Sequence, residues 1–365
     1  MDQPPEKQID LFKEVNQIEE KLNSVTLPPE LKDKAQSMLQ RLTRMARFGG
    51  YSIQFEQVAS YIDWISNLPW SNRSDDILDL DHAKKTLDKN HYGLTQIKDR
   101  ILEYLAVLKL KREQGKGQNI ETQEGILKFM RAPILCFVGL VGTGKTTIAY
   151  SIAEAMGRHF SRIPFGGMGS PLDLRGQSRV HPDAEVGQVI KALRRAQTKN
   201  PVILLDEIDR VTDEGHSSIM GVLVELLDPE QNMAFRDHFI DYPIDLSEAL
   251  FIATCNNTTN ISTAVLDRLE PIQMPSYTDE EKIKIGRDFV LPRTIQESGL
   301  SPAQITIDDS VWPKIVRPLG YDAGIRTLER TINGIVRKIA LLVVAGKGQK
   351  FHLTSENIKE FLPTW

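Results

Sequence analysis

The chain has 365 residues, room for two or three domains, of which 41% are apolar and 26% charged, as in soluble globular proteins with a real core. Its 45 basic and 49 acidic residues leave a formal net charge of −4, so nucleic acid is not indicated as a partner. The N-terminus is polar and acidic, unlike a secretory signal or a transit peptide, and no apolar run is long enough to span a membrane.

The first segment reads as helical. Leu11, Val15, Ile18 and Leu22 recur at spacings of four and three, Pro28-Pro29 interrupts, and Leu31, Ala35, Met38, Leu42 and Met45 resume the pattern. Each set makes one apolar stripe on a charged helix. Two placements are open for these stripes: a hairpin packed on its own chain, or contact with neighbouring subunits. Gly49-Gly50 marks a boundary, and a short helix through Val58, Ile62 and Ile65 ends at Leu68-Pro69-Trp70. A helix through Ala83 and Leu87 follows, then a loop over Asn90-His91-Tyr92-Gly93-Leu94, then an amphipathic helix through Ile97, Ile101, Leu102 and Leu105. Residues 112–127 are polar and Gly-containing, the composition of a surface loop.

From Pro133 short apolar strands alternate with helices: 134–139, 159–165, 201–207 and 249–256. Continuous apolar strands interleaved with helices predict an α/β fold, a parallel sheet flanked by helices. Cys136 and Cys255 are the only cysteines, and both lie in these buried strands. That argues against a disulfide framework or a cysteine-rich zinc site and suits a reducing, cytoplasmic setting. Beyond Pro275 the chain turns mainly helical, with its clearest stripe at Ile325, Leu328, Ile332, Ile335, Val336 and Ile339. A short strand at Phe351 to Leu353 and a last helix capped by Ser355 close it. The expected domains are a helical N-terminal segment (1–48), a helical linker (49–85), an α/β nucleotide-binding domain (86–275) and a helical lid (276–365).

The chemistry concentrates in two motifs. Gly139-Leu140-Val141-Gly142-Thr143-Gly144-Lys145-Thr146, with Thr147 after it, fits the phosphate-loop pattern between a strand and a helix. Glycines let successive N–H groups turn inward on phosphates, Lys145 reaches the β and γ phosphates, and Thr146 offers a hydroxyl to Mg2+. The second motif is the apolar strand ending in Asp206-Glu207. Asp206 is the expected Mg2+ partner and Glu207 the group that polarises the attacking water. Asn256, ending another apolar strand, could orient that water. Arg268 in Leu-Asp-Arg-Leu-Glu and Arg326 in Gly-Ile-Arg-Thr-Leu-Glu-Arg are candidate phosphate-sensing arginines. Each has a blander role open to it: helix cap, turn residue or surface charge.

Together these runs resemble the Lon protease family over nearly the whole chain. Asn-Leu-Pro-Trp (67–70), His-Tyr-Gly-Leu (91–94), Pro-Ile-Leu-Cys (133–136), Leu-Leu-Asp-Glu-Ile-Asp (204–209), Leu-Leu-Asp-Pro-Glu-Gln-Asn (226–232), Phe-Ile-Ala-Thr (251–254) and Ala-Gly-Ile-Arg-Thr-Leu-Glu-Arg (323–330) all look like that family's wording. The resemblance implies an AAA+ P-loop ATPase with a mainly helical C-terminal lid, using ATP and Mg2+ and coupling hydrolysis to unfolding or remodelling of polypeptides. It implies sensor roles for Asn256 and Arg326, and for Arg268 an arginine finger that completes a neighbour's site in a homo-oligomer, a hexameric ring. It places His91, Tyr92 and Gly93 at the adenine pocket. His181-Pro182 stands where the family threads substrate with an aromatic–aliphatic pair, so a weaker grip is expected, with an ordinary loop histidine as the alternative. No serine–lysine peptidase motif follows the lid, so peptidase activity is not expected from these residues, and a separate peptidase partner is possible. Two alternatives stay open: the ATPase portion of a full-length ATP-dependent serine protease, and a nucleotide-switched scaffold.

Overall fold

The computed structural model describes residues 5–47, 53–117, 134–181, 183–317 and 322–363. Its longer helices are α1 (Pro5–Ser24), α2 (Pro29–Arg47), α3 (Ile53–Ser66), α4 (Leu80–Asn90), α5 (Thr95–Gly117), α6 (Lys145–Ala155), α7 (Gln188–Ala196), α8 (His216–Leu227), α9 (Asp279–Ile285), α10 (Leu291–Glu297) and α11 (Arg326–Val344). The strands are β1 (Ile134–Val138), β2 (Phe160–Pro164), β3 (Val202–Asp206), β4 (Phe235–Arg236), β5 (Pro243–Ile244), β6 (Leu250–Cys255), β7 (Leu269–Gln273), β8 (Ile305–Ile307) and β9 (Phe351–Leu353).

Five strands form one sheet in the order β2-β3-β6-β1-β7, and β2, β3 and β6 pair in parallel. The α/β expectation holds, because β3 and β6 are buried at every position and must be covered on both faces. The sequence reading missed β7. Pro271 cannot donate to a ladder, which argues against a strand, but β7 is an edge strand, where proline is tolerated. Cys136 and Cys255 are buried thiols on neighbouring strands, not joined by a disulfide, with Sγ atoms 3.8 Å apart.

The chain divides into two compact units. The first holds Met1–Leu78, Val107–Cys136 and Met156–Glu270. Here α1, α2 and α3 pack on one another, with Val15, Leu22, Leu31, Ala35 and Leu42 buried between them. Among the described side chains, the N-terminal stripes thus face their own chain. Tyr61 of α3 carries this layer onward: its hydroxyl donates to the Ile240 carbonyl at 3.4 Å, and the Arg179 guanidinium stacks on its ring at 3.9 Å. Gly49-Gly50 lies outside the described residues.

The second unit holds Asp79–Ala106, Phe137–Ala155 and Pro271–Trp365. Its helical core gathers Trp312 with Leu328, Ile332, Ile335, Val336 and Ile339 of the predicted stripe, and Ile325, the first residue of that stripe, packs partly buried against it just before α11. Two expectations need correction. α5 continues to Gly117, so residues 112–117 are helical and not loop; its first turns are anchored by buried Ile97, Ile101 and Leu105, and Arg112-Glu113-Gln114 are good helix formers. Residues 118–127 lie outside the described set. The last helix, Ile358–Phe361, is preceded by Asn357 and not capped by Ser355. The Asn357 side chain ties the turn by accepting from the Thr354 N–H at 2.8 Å and donating to the His352 carbonyl at 2.9 Å.

Among the described residues, no helix is long and apolar enough to cross a membrane.

Candidate functional site

The phosphate loop leaves β1 at Gly139 and enters α6 at Lys145. Gly142 and Gly144 take φ values of 83° and 94°, which glycine adopts without a Cβ clash. The resulting curl closes on the Lys145 ammonium, which donates to the carbonyls of Gly139 at 2.6 Å and Leu140 at 3.0 Å. Thr143 Oγ1 donates to the Leu140 carbonyl and Thr147 Oγ1 to the Gly144 carbonyl, each at 2.9 Å. The Tyr277 hydroxyl, its pKa pushed up to about 12 by burial and by the Glu281 carboxylate, stays protonated and donates to the Thr143 carbonyl. Leu140, Val141 and Thr146 are exposed. A curl of this kind, opening on the N–H groups of a helix's first turn, fits a phosphate chain, and the exposed Thr146 hydroxyl there is a hard oxygen donor suited to Mg2+.

The lid backbone meets this loop directly. Ile325 N–H donates to the Gly142 carbonyl at 3.0 Å. A Cβ on Gly324 would stand 2.5 Å from the Gly142 carbonyl carbon, and one on Gly142 would stand 3.3 Å from Cβ and N of Arg326. Two glycines therefore permit the approach, and Arg326 begins α11 beside it with its side chain exposed.

His91 is buried and its Nε2 lies 2.9 Å from Ser151 Oγ of α6. Burial, helped by the nearby Lys98 ammonium and against a hydrogen bond with the Thr147 backbone, drives its pKa down to about 4. The imidazole is therefore neutral and ties the 90–94 loop to the phosphate helix. Tyr92 packs edge-on to Phe289, with centroids 6.4 Å apart and the Lys284 ammonium 5.4 Å from its ring. Gly93 has φ 63°.

In the first unit Asp206 ends β3, almost fully buried. Arg162 Nε donates to its Oδ2 at 2.7 Å and Thr254 Oγ1 to its Oδ1. Glu207 follows with φ 57° and ψ 50°, a left-handed conformation rare for a residue with a side chain. Its N–H donates to the same Thr254 Oγ1 at 2.9 Å, and its carboxylate lies 3.5 Å from Arg210. Asn256 is held nearby through its backbone, with its N–H donating to Asp209 Oδ2 at 3.1 Å. Asp206, Glu207 and Asn256 are thus brought to one end of β3 and β6. Arg268 stands apart from them. It donates to Asp228 Oδ2 at 2.8 Å and to the Ala264 carbonyl at 2.9 Å. Burial disfavours the Asp228 carboxylate, but Arg268 and the N–H groups of Glu230 and Gln231 outweigh it and hold its pKa below the usual range.

The loop bearing His181 is pinned at its base. Gly187 N–H donates to Asp237 Oδ2 at 2.8 Å, and Gln177 N–H to the Glu185 carbonyl at 2.9 Å. His181 is exposed, next to Val180, which is 86% exposed. Pro182 lies outside the described residues. Sequence reasoning assigned no role to Thr254, Arg162, Asp209 or Tyr277. A threonine or arginine inside an apolar strand carries no spacing signal, and only the fold brings these side chains to the acids and the loop.

Comparison with known proteins agrees with this anatomy. Residues 135–277 match the model of the AAA family, ATPases associated with various cellular activities, and residues 296–351 match the Lon protease AAA+ ATPase lid domain. The chain is 41% identical over 349 residues to Lon protease 2 of Thermus thermophilus, covering 96% of this chain and 42% of that protein. It is 41% identical over 354 residues to Lon protease of Lawsonia intracellularis, covering 97% and 40%, and 39% identical over 352 residues to Lon protease 2 of Herpetosiphon aurantiacus, covering 96% and 41%. The chain therefore spans about two fifths of the length of these relatives. The chain thus carries an AAA-family match followed by a Lon-lid match and aligns with Lon proteases over nearly all its residues, the anatomy of a Lon-family AAA+ module.

Proposed function

We propose that this chain binds ATP with Mg2+, hydrolyses it, and uses the cycle to unfold or remodel polypeptides. The observation that carries the reading is the phosphate loop, where two glycines with positive φ curl the backbone around the Lys145 ammonium at the start of α6. Gly139, Leu140, Val141, Gly142, Thr143, Gly144, Lys145, Thr146 and Thr147 would hold the phosphates through backbone N–H groups and the ammonium. His91, Tyr92 and Gly93 would line the adenine pocket, with the neutral imidazole anchoring their loop. Thr146 and Asp206 would ligate Mg2+, which when bound neutralises charge on the phosphates. Glu207 would accept a proton from the attacking water, and Asn256 would orient it.

Arg326, placed by its backbone against Gly142, would sense nucleotide from the lid. Arg268 would serve the site of a neighbouring copy in a homo-oligomeric ring, exchanging Asp228 for the neighbour's phosphate. A hexamer is the assembly the family resemblance implies, and a finger given in trans is worth several orders of magnitude in rate. The exposed His181 loop would contact the polypeptide, with a histidine–proline pair gripping apolar segments less firmly than an aromatic would. The two buried thiols, not joined by a disulfide, fit a reducing cytoplasm. Relatives more than twice this length are named proteases, so a second reading is that these residues are the ATPase portion of a longer ATP-dependent protease. A peptidase motif downstream in the reading frame would decide for it.

The test is Glu207→Gln. It should bind ATP like the parent while turnover falls by a factor on the order of 10²–10⁴, and parental turnover should rise with protein concentration as shared sites assemble. Unchanged hydrolysis in Glu207→Gln removes the catalytic assignment. Absence of nucleotide binding by the parent removes the whole reading.

A further inference from the structure

We propose that Thr254 is the positioning residue of this site: its one hydroxyl fixes both acids at the end of β3. The inference rests on the ATPase reading and adds to it a residue that touches neither nucleotide nor water. Thr254 lies on β6, fully buried, one strand over from the acids. The direction of its bonds is determined by chemistry. The Glu207 N–H, 2.9 Å away, can only donate, so Thr254 Oγ1 accepts there. The hydroxyl has one proton, and it goes to Asp206 Oδ1, which must then be an acceptor. One oxygen thus reads two things at once: that Asp206 turns an accepting oxygen toward β6, and that the Glu207 backbone is turned left-handed.

The second function matters most for turnover. Glu207 holds φ 57° and ψ 50° without being glycine, so its backbone needs a restraint to stay there. Rotation into a common region would swing the carboxylate through several bond lengths, and misplacement of about 1 Å can cost a hundredfold in rate. The neighbouring lacing is consistent: Asp209, on the same turn, accepts from the Asn256 N–H two residues beyond Thr254. The ends of β3 and β6 are thereby joined by three bonds, two of them through Thr254. Arg162 engages the other oxygen of Asp206, leaving the Thr254 hydroxyl to set the carboxylate plane from inside the sheet.

The experiment compares Thr254→Val, which keeps the shape and removes the hydroxyl, with Thr254→Ser, which keeps the hydroxyl. ATP turnover, KM for ATP, equilibrium ADP binding, the Mg2+ concentration giving half-maximal rate, and thermal melting are measured on the same full chain. Thr254→Val should lose about tenfold to a hundredfold in kcat, as expected for removing a hydrogen bond to a charged group. Its ADP affinity should stay within about threefold of the parent, because the phosphate loop is untouched, and its Mg2+ requirement should rise. Thr254→Ser should keep kcat within about threefold. A kcat for Thr254→Val within about twofold of the parent overturns the proposal, as does a serine variant as slow as valine. If valine does not fold, the serine variant alone decides, and a slow serine enzyme overturns the proposal. A parent chain that turns over no ATP under any condition sinks the ATPase reading instead.

Discussion

The phosphate loop and the end of β3 both need backbone in the left-handed half of conformational space, and they reach it by opposite means. The loop uses Gly142 and Gly144, at φ 83° and 94°, where no Cβ exists to clash. The strand end uses Glu207 at φ 57°, where a side chain costs about 1–2 kcal/mol. The difference follows from what each must present. On the proposed function, phosphates would be bound by main-chain N–H groups, so the loop can discard side chains. On the same reading water would be activated by the Glu207 carboxylate, so the turn after β3 would keep a side chain and rely on Thr254 to restrain it.

The largest effect is expected around α6, on the glycine side of this comparison. His91 binds Ser151 as a neutral imidazole, with a folded pKa of about 4 against an ordinary 6.5. A depressed folded pKa means that the unfolded chain takes up the proton first as pH falls. Stability from this residue is full above pH 6.5 and declines between 6.5 and about 4, a loss on the order of 3 kcal/mol. Replacing His91 by Gln should flatten the melting profile over that window, while the nucleotide affinity of the folded chain should hold until the pH nears about 4. A parental pH profile that is already flat there would place His91 outside the restraint of the phosphate helix.

How much of this was legible in the sequence follows the same division. The loop pattern was plain, because backbone chemistry writes itself as glycines at fixed spacing. The sheet was plain where strands were apolar at every position, as in β3 and β6. The edge strand β7 was hidden because Pro271 and Glu270 interrupt its apolar pattern, and edges tolerate both. The extension of α5 to Gly117 was hidden because a polar stretch with glycines reads as loop even when a well-anchored helix runs into it. Thr254, Arg162 and Asp209 could not be ranked at all. Their partners are more than forty residues away for Thr254, Arg162 and the Asp209–Asn256 pair, and only strand order makes them neighbours. Asn357 closes the last turn in place of Ser355, its amide oxygen accepting from Thr354 and its amide nitrogen donating to His352, while the Ser355 hydroxyl meets that of Ser310 at 3.1 Å.

A middle-sized effect sharpens the glycine side. Gly142→Ala puts a Cβ at φ 83° and 3.3 Å from Arg326, so both the loop and the lid approach should suffer, by about 1–2 kcal/mol. Nucleotide affinity should fall about tenfold. The control is Gly221→Ala in α8, where the added Cβ meets nothing within 4 Å and helix propensity predicts a gain of about 0.5–1 kcal/mol. Equal effects from the two alanines in a binding titration and a melt would mean that the loop does not depend on glycine geometry.

The smallest effect isolates the acid side, and its sign is opposite. Glu207→Asn and Glu207→Gln both exchange the carboxylate for an amide, so both should lose hydrolysis. They differ in backbone preference: asparagine enters the left-handed region readily and glutamine does not. If the turn after β3 is strained, Glu207→Asn should melt higher than Glu207→Gln by about 0.5–1 kcal/mol of stability, with turnover strongly reduced in both. The gain should persist in the presence of Thr254, because that side chain restrains the turn without removing its strain. Equal stability of the two amides would show that Glu207 sits in its turn without cost, and then the contrast with Gly142 and Gly144 would be one of side-chain need alone.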